Sequence, residues 1–219
     1  MKVRRCKLGR GAAVVGAALA LSALLACVNI PFSEKPPRLF VLTPKSTFAT
    51  DLPTVDWQLL IEVPIAAAGL DTTRIALQHQ PTEMEYFAGA TWTNRAPEMV
   101  QTLLVESFEN SGKIVAVGRD SISLRSDMVL KTELREFQAE YKGTAAKVHV
   151  RINAKLIQMP QRSIVGSVTT DEVVAARGAG LEAIIAAFDD SLGKVLKEIV
   201  EWSLRTGDKA KAAETQKTS

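Results

Sequence analysis

The sequence predicts a single α+β domain in which an antiparallel sheet packs against about two main helices. Two observations carry that reading. Between Met128 and Val174 the residues alternate at period two. Val148, Val150, Ile152, Ala154 and Leu156 fall on one face and Lys147, His149, Arg151, Asn153 and Lys155 on the other, as in a strand with one buried and one wet face. Near the C-terminus Leu181, Ile185, Phe188, Leu192, Val195, Ile199 and Trp202 recur at spacings of four and three, which is one apolar stripe along a helix.

Taken in order, the elements begin with a segment that is not part of the fold. Lys2, Arg4, Arg5, Lys7 and Arg10 precede an apolar run from Ala12 to Ala26. A basic stretch followed by an apolar one is the layout of an export signal. The run has 15 residues, short of the ~20 that a membrane-spanning helix needs. Leu24-Leu25-Ala26-Cys27 resembles the lipobox of bacterial lipoproteins, in which cleavage falls just before a cysteine whose sulfur takes a diacylglycerol. The expected signal peptide is therefore 1–26. Leu24, Leu25 and Ala26 are the peptidase recognition residues and Cys27 is the lipidation site. One acyl chain binds a membrane only marginally, whereas two or three, palmitate among them, anchor stably. Residue Val28 stands where enterobacterial lipoproteins kept in the inner membrane carry Asp. The expected location is thus the periplasmic face of the outer membrane, with the inner membrane second.

Residues 27–37 contain Pro31, Pro36 and Pro37 and read as a tether. The domain is expected over 38–206. Its first strands are Leu39 to Leu42 and Trp57 to Val63, with weaker candidates at Ile75 to Gln80 and Glu83 to Phe87. The first helix begins near Asn94 as N-cap, with Pro97 in its first turn and Glu98 at the positive end of its dipole. Val100, Leu103, Leu104 and Phe108 form its apolar side, and Ser111-Gly112 ends it. A short strand, Ile114 to Val117, follows.

In the next strand Leu130, Thr132 and Leu134 sit on even positions but Phe137, Ala139 and Tyr141 on odd ones, so a β-bulge near Arg135-Glu136 must restore the phase. With a turn at Met159 to Arg162, three strands form an antiparallel meander. Asp190 with Lys194 and Glu201 with Arg205 stand at four-residue spacing on the solvated side of the last helix. Residues 207–219 lack apolar periodicity and are expected to be a disordered tail.

The chain holds 27 basic and 24 acidic residues. Five of the basic ones and none of the acidic ones lie in residues 1–26, which leaves 22 against 24 once the signal is cut. The full-chain isoelectric point near 8.9 therefore misleads, and no basic face argues for nucleic acid. Cys6 leaves with the signal and Cys27 takes lipid, so no disulfide or free thiol is expected.

Chemistry-bearing patterns are sparse. His79 and His149 have no second His or Cys at metal-ligand spacing and read as solvated surface groups. Neighbouring carboxylates such as Asp189-Asp190 and Asp171-Glu172 point apart. No nucleophile elbow, phosphate loop or dinucleotide fingerprint occurs. The expectation is a non-enzyme with no metal and no cofactor beyond the lipid on Cys27. Thr91-Trp92-Thr93 reads as a loop just before a helix, where a Trp is a common interface anchor. Trp92 is therefore the candidate docking residue, with Tyr86 and Phe87 beside it; the alternative is that Trp92 caps the core.

The stretch from Tyr86 to Ile122, the strand LFVLTP at Leu39 to Pro44, the bulged strand Leu130 to Tyr141 and the helix from Ala186 to Trp202 together resemble the ABC-type transport auxiliary lipoprotein family, which includes the paraquat-inducible lipoprotein C group. The resemblance implies a lipobox and an α+β domain with helices against a curved sheet. It also implies an auxiliary role beside ABC transporters whose periplasmic subunits carry mammalian-cell-entry (MCE) domains and move phospholipids or other hydrophobic molecules. The implied partners are an MCE-domain protein and the ABC permease and ATPase. A periplasmic lipid carrier, a structural envelope lipoprotein and a hydrolase are the rival readings.

Overall fold

Along the chain the elements are β1 (Arg38–Phe40), β2 (Val55–Ile61), β3 (Ile65–Ala66), β4 (Arg74–Gln78), β5 (Glu85–Trp92), α1 (Ala96–Ser111), β6 (Ile114–Arg119), β7 (Met128–Lys142), β8 (Ala145–Gln158), β9 (Ser163–Ala175) and α2 (Leu181–Thr218). This computed structural model describes residues 35–119, 126–178 and 180–218. The expected signal peptide, Leu24, Leu25, Ala26, Cys27 and most of the tether lie outside them. From Pro37 onward the chain forms one compact unit.

β7 is the girder of the sheet. On one side it pairs antiparallel with β8 from Met128↔Gln158 to Lys142↔Ala145, and β8 pairs antiparallel with β9, which is the expected meander. Its register slips between Leu134 and Glu136, so Arg135 is the bulge residue and the buried set moves from even positions to Phe137 and Ala139. Along its other side β7 receives β2, β3 and β4 in turn, all parallel. β6 continues from β2 and β5 from β4, with β1 parallel to β5 at the margin. Most paired residues belong to antiparallel ladders, but the sheet is mixed. The parallel pairings join strands distant in sequence and have no local turn signal.

Both helices supply apolar faces to one core. At its centre Trp92 of β5, Phe137 of β7 and Phe188 of α2 meet with ring centroids 5.0 to 5.7 Å apart, the spacing at which aromatic pairs attract beyond their burial. Trp92 is 1% exposed and ends a strand. The expectation of a loop Trp free for docking is therefore corrected: Trp92 belongs to the core. The alternation of β5 turns its ring inward just before the chain leaves for α1.

Helix α1 begins one residue later than expected. Arg95 flanks it without a side-chain cap, and Gly112 closes it in the left-handed conformation. In place of an Asn94 cap, the Ala96 N–H donates to the Thr72 carbonyl at 3.0 Å, so a neighbouring loop satisfies a free helix donor. Buried Gln101 donates to the Ile61 carbonyl at 2.8 Å, which binds α1 to the end of β2.

Helix α2 runs through the region expected to be a disordered tail. It reaches Thr218, about 57 Å at 1.5 Å per residue. Polar contacts rather than apolar periodicity hold its last turns. Lys211 Nζ lies 3.4 Å from Asp127, and Gln158 donates to Glu214 at 2.8 Å. Its buried face is also broader than the expected stripe. Ile184, Ser191, Leu196, Val200, Ser203 and Leu204 are buried with Phe188, Leu192, Val195 and Ile199, whereas Leu181, Ile185 and Trp202 are half-buried. On its outer side Asp190 pairs with Lys194 as expected, but Glu201 and Arg205 do not pair with each other. Glu201 accepts from the Ala49 N–H at 2.8 Å and Arg205 donates to Asp51 at 2.7 Å. Those contacts, with Thr43 donating through both N–H and hydroxyl to Asp189, lay residues 43–51 as a strap along α2. Lys45 stitches the same strap to Ser107 and Asn110 of α1.

Candidate functional site

On the sheet face opposite the Val148 to Leu156 core row, β7, β8 and β9 contribute a ladder of charges in register. His149 stands across from Gln138 and between two carboxylates. Its Nδ1 lies 2.7 Å from Glu140 and its Nε2 2.7 Å from Asp171. Its side chain is 13% exposed, so the expected solvated histidine is corrected to a half-sheltered one. Lys147 Nζ sits 2.9 Å from Glu140 and Arg151 Nε 2.8 Å from Asp171. Buried Gln138 donates to Glu136 and Glu140.

Desolvation alone would raise the pKa of Glu140 and of Asp171. Hydrogen bonds and charge from Lys147 and His149 for the first, and from His149 and Arg151 for the second, outweigh it and hold both carboxyls below their ordinary range. The imidazole of His149 is thus bracketed by a carboxylate at each ring nitrogen. Lys147 and Arg151 pair with the two carboxylates that flank His149, and the Lys147–Glu140 pair borders the cleft at the hairpin end.

At the hairpin end of the same strands β7 is flanked by the end of β4, and β8 by the end of β9. There a cleft of about 570 Å³ opens, lined mainly by apolar surface from His79, Pro81, Tyr141, Ala145, Ala146 and Ala175. Register explains how residues so far apart in sequence meet: Gln78 is level with Glu140 in the parallel β4–β7 pair, and Tyr141 is level with Ala146 in the hairpin. The His79 ring stacks on Tyr141 with centroids 5.1 Å apart, and its Nδ1 lies 3.0 Å from Glu85. Burial pushes the Tyr141 hydroxyl up from its ordinary value, which keeps it neutral. Phe87 packs against Tyr141 at 6.4 Å. Tyr86 does not face the cleft freely: its hydroxyl donates to the Gly69 carbonyl at 3.1 Å and the Arg74 guanidinium lies 3.6 Å above its ring.

Of the three docking candidates, then, the fold puts Trp92 in the core, ties Tyr86 on both sides and leaves only Phe87 next to a cavity. The cleft itself carries no sequence motif. Its walls come from positions up to about a hundred residues apart, and only the strand pairing assembles them. Among the described residues no group of three or more His, Cys, Asp or Glu side chains is placed to hold a metal ion, and no helix is long and apolar enough to cross a membrane.

A family model described as an ABC-type transport auxiliary lipoprotein component matches residues 40–200, from the end of β1 to the middle of α2. The chain belongs to this family. Among solved structures, the auxiliary lipoprotein resembles protein XCC0632 from Xanthomonas campestris at 33% identity and a TM-score of 0.75, covering 80% of this chain and 98% of that one. A second crystal structure, of an uncharacterized protein, shares the fold at 13% identity and a TM-score of 0.61, covering 76% and 97%. An uncharacterized protein of Bradyrhizobium diazoefficiens is 28% identical over 156 residues, 69% of the auxiliary lipoprotein. The match spans only 40% of that relative's length. The last turns of α2 lie beyond the matched segment.

Proposed function

We propose that this chain is a membrane-anchored, non-catalytic tethering subunit of an MCE-type ABC transporter for phospholipid or another hydrophobic substrate. The observation that carries the reading is the family match over residues 40–200, behind a sequence, Leu24-Leu25-Ala26-Cys27, suited to lipid attachment. An auxiliary component fits a role that positions other subunits and performs no reaction of its own. In this reading lipid on Cys27 holds the chain at the periplasmic face of the outer membrane, and residues 27–37 give it reach. At ~3.5 Å per residue such a tether extends at most ~40 Å.

The test is crosslinking in the intact cell envelope followed by purification of a tagged copy, with Cys27→Ser as the unlipidated comparison. Recovery of an MCE-domain protein together with a permease and an ATPase, reduced in the comparison, supports the reading. Recovery of envelope proteins with none of these overturns it.

A further inference from the structure

The cleft beside Tyr141 borders the start of β5, where His79 on its wall meets Glu85. β1 runs parallel to β5 with Arg38 level with Ala90. Glu85, at that start, stands five residues before Ala90. In the membrane-anchored reading the eleven residues 27–37, from Cys27 up to β1, keep the domain within ~40 Å of the bilayer.

The chemistry at this end is two-sided. Tyr141, Pro81, Ala145, Ala146 and Ala175 offer an apolar lining in a volume typical of small-molecule sites, ~300–1,000 Å³. Lys142 also lines it, and Arg177 lines a second hollow that shares Ala175. Among the described residues neither cation has an ion-pair partner, whereas Lys147 is held by Glu140 and Arg38 by Glu182. Glu140 also lines the cleft but is held by Lys147, so the charges left over beside the apolar walls are the two cations, which match an acyl chain joined to an anionic headgroup.

From this geometry we infer that the cleft binds one acyl chain of an anionic glycerophospholipid drawn from the bilayer that holds the anchor, with Lys142 and Arg177 meeting its phosphate. The inference rests on the membrane-anchored reading above and adds a ligand site to it. No bond is made or broken.

The probe is a phosphatidylglycerol with a photoreactive diazirine in its acyl chain, mixed into phosphatidylethanolamine vesicles that carry the mature lipidated protein. After illumination the labelled residues are located by mass spectrometry. The expected result is label concentrated on the Gln78 to Pro81 turn and on Tyr141 to Ala146. It is lost in Ala146→Trp, which fills the cleft, and Lys142→Glu reduces it more when the probe is phosphatidylglycerol than when it is phosphatidylcholine, whose ammonium offsets the phosphate charge. Ala145→Trp, at an exposed hairpin position, is the second filling variant should the first fail to fold. Label spread over the surface, or unchanged by both filling variants, overturns the inference. If transporter subunits still copurify while the cleft stays unlabelled, only the lipid site falls and the tethering role stands. Failed copurification with a labelled cleft has the opposite meaning.

Discussion

Carboxyl groups in this domain pull in opposite directions on its stability. Burial, aided by the charge of Glu172, raises Glu198 above the ordinary glutamate value. A raised acid favours the protonated form in the folded chain, so the stability it contributes is present below the ordinary value and lost as pH rises through the raised one. Glu140 and Asp171 are held low. Their contribution is complete above the ordinary carboxylate range and disappears as pH falls toward their lowered values. Unfolding followed across pH should therefore show two separate effects. Glu198→Gln is expected to raise the melting temperature at neutral pH and to leave it nearly unchanged in acid. The double variant Glu140→Gln with Asp171→Asn is expected to flatten the acid limb. A Glu198→Gln protein that melts lower at neutral pH would show that its carboxylate has a partner worth more than its desolvation.

Within α2 two glycines make a matched experiment. A Cβ at Gly193 would meet nothing within 4 Å, whereas one at Gly207 would lie 2.4 Å from the Trp57 ring. Gly193→Ala should gain the helix-propensity difference of ~0.5–1 kcal/mol. Gly207→Ala must displace a ring that is 2% exposed, and overpacking of that kind costs ~1–3 kcal/mol. Denaturant unfolding of both should give opposite signs. The pair also shows what could be read from the sequence. The existence of α1, α2 and the meander was legible, as was the bulge at Arg135, because periodicity is a local signal. The helical end past Gly207 was not: it depends on Trp57, Asp127 and Gln158, which no window around residue 207 contains. The same holds for the parallel strands on the far side of β7 and for the cleft, whose walls only long-range register brings together. Trp92 was misplaced because Thr91 and Thr93 look equally at home in a loop and at a strand end.

Across the whole molecule the Trp92, Phe137 and Phe188 cluster joins β5 and β7 to the long helix. Trp92→Ala is expected to cost ~3–5 kcal/mol, as buried aromatic truncations do, and to lower hydrogen-exchange protection in β5, β7 and α2 together. Loss confined to the surface around residue 92 would contradict a shared core. The place where the chain enters has a mechanical meaning as well. Because β1 lies parallel to β5 over three register pairs, a pull on Arg38 directed along β1 loads their hydrogen bonds side by side rather than opening them one after another. Behind them come further catches in series, Thr43 on Asp189, Ala49 on Glu201 and Asp51 on Arg205, spaced along one stiff helix. Force arriving from the leash is thus handed to α2 in steps and spread over its length, so the domain resists being peeled open from its N-terminal end.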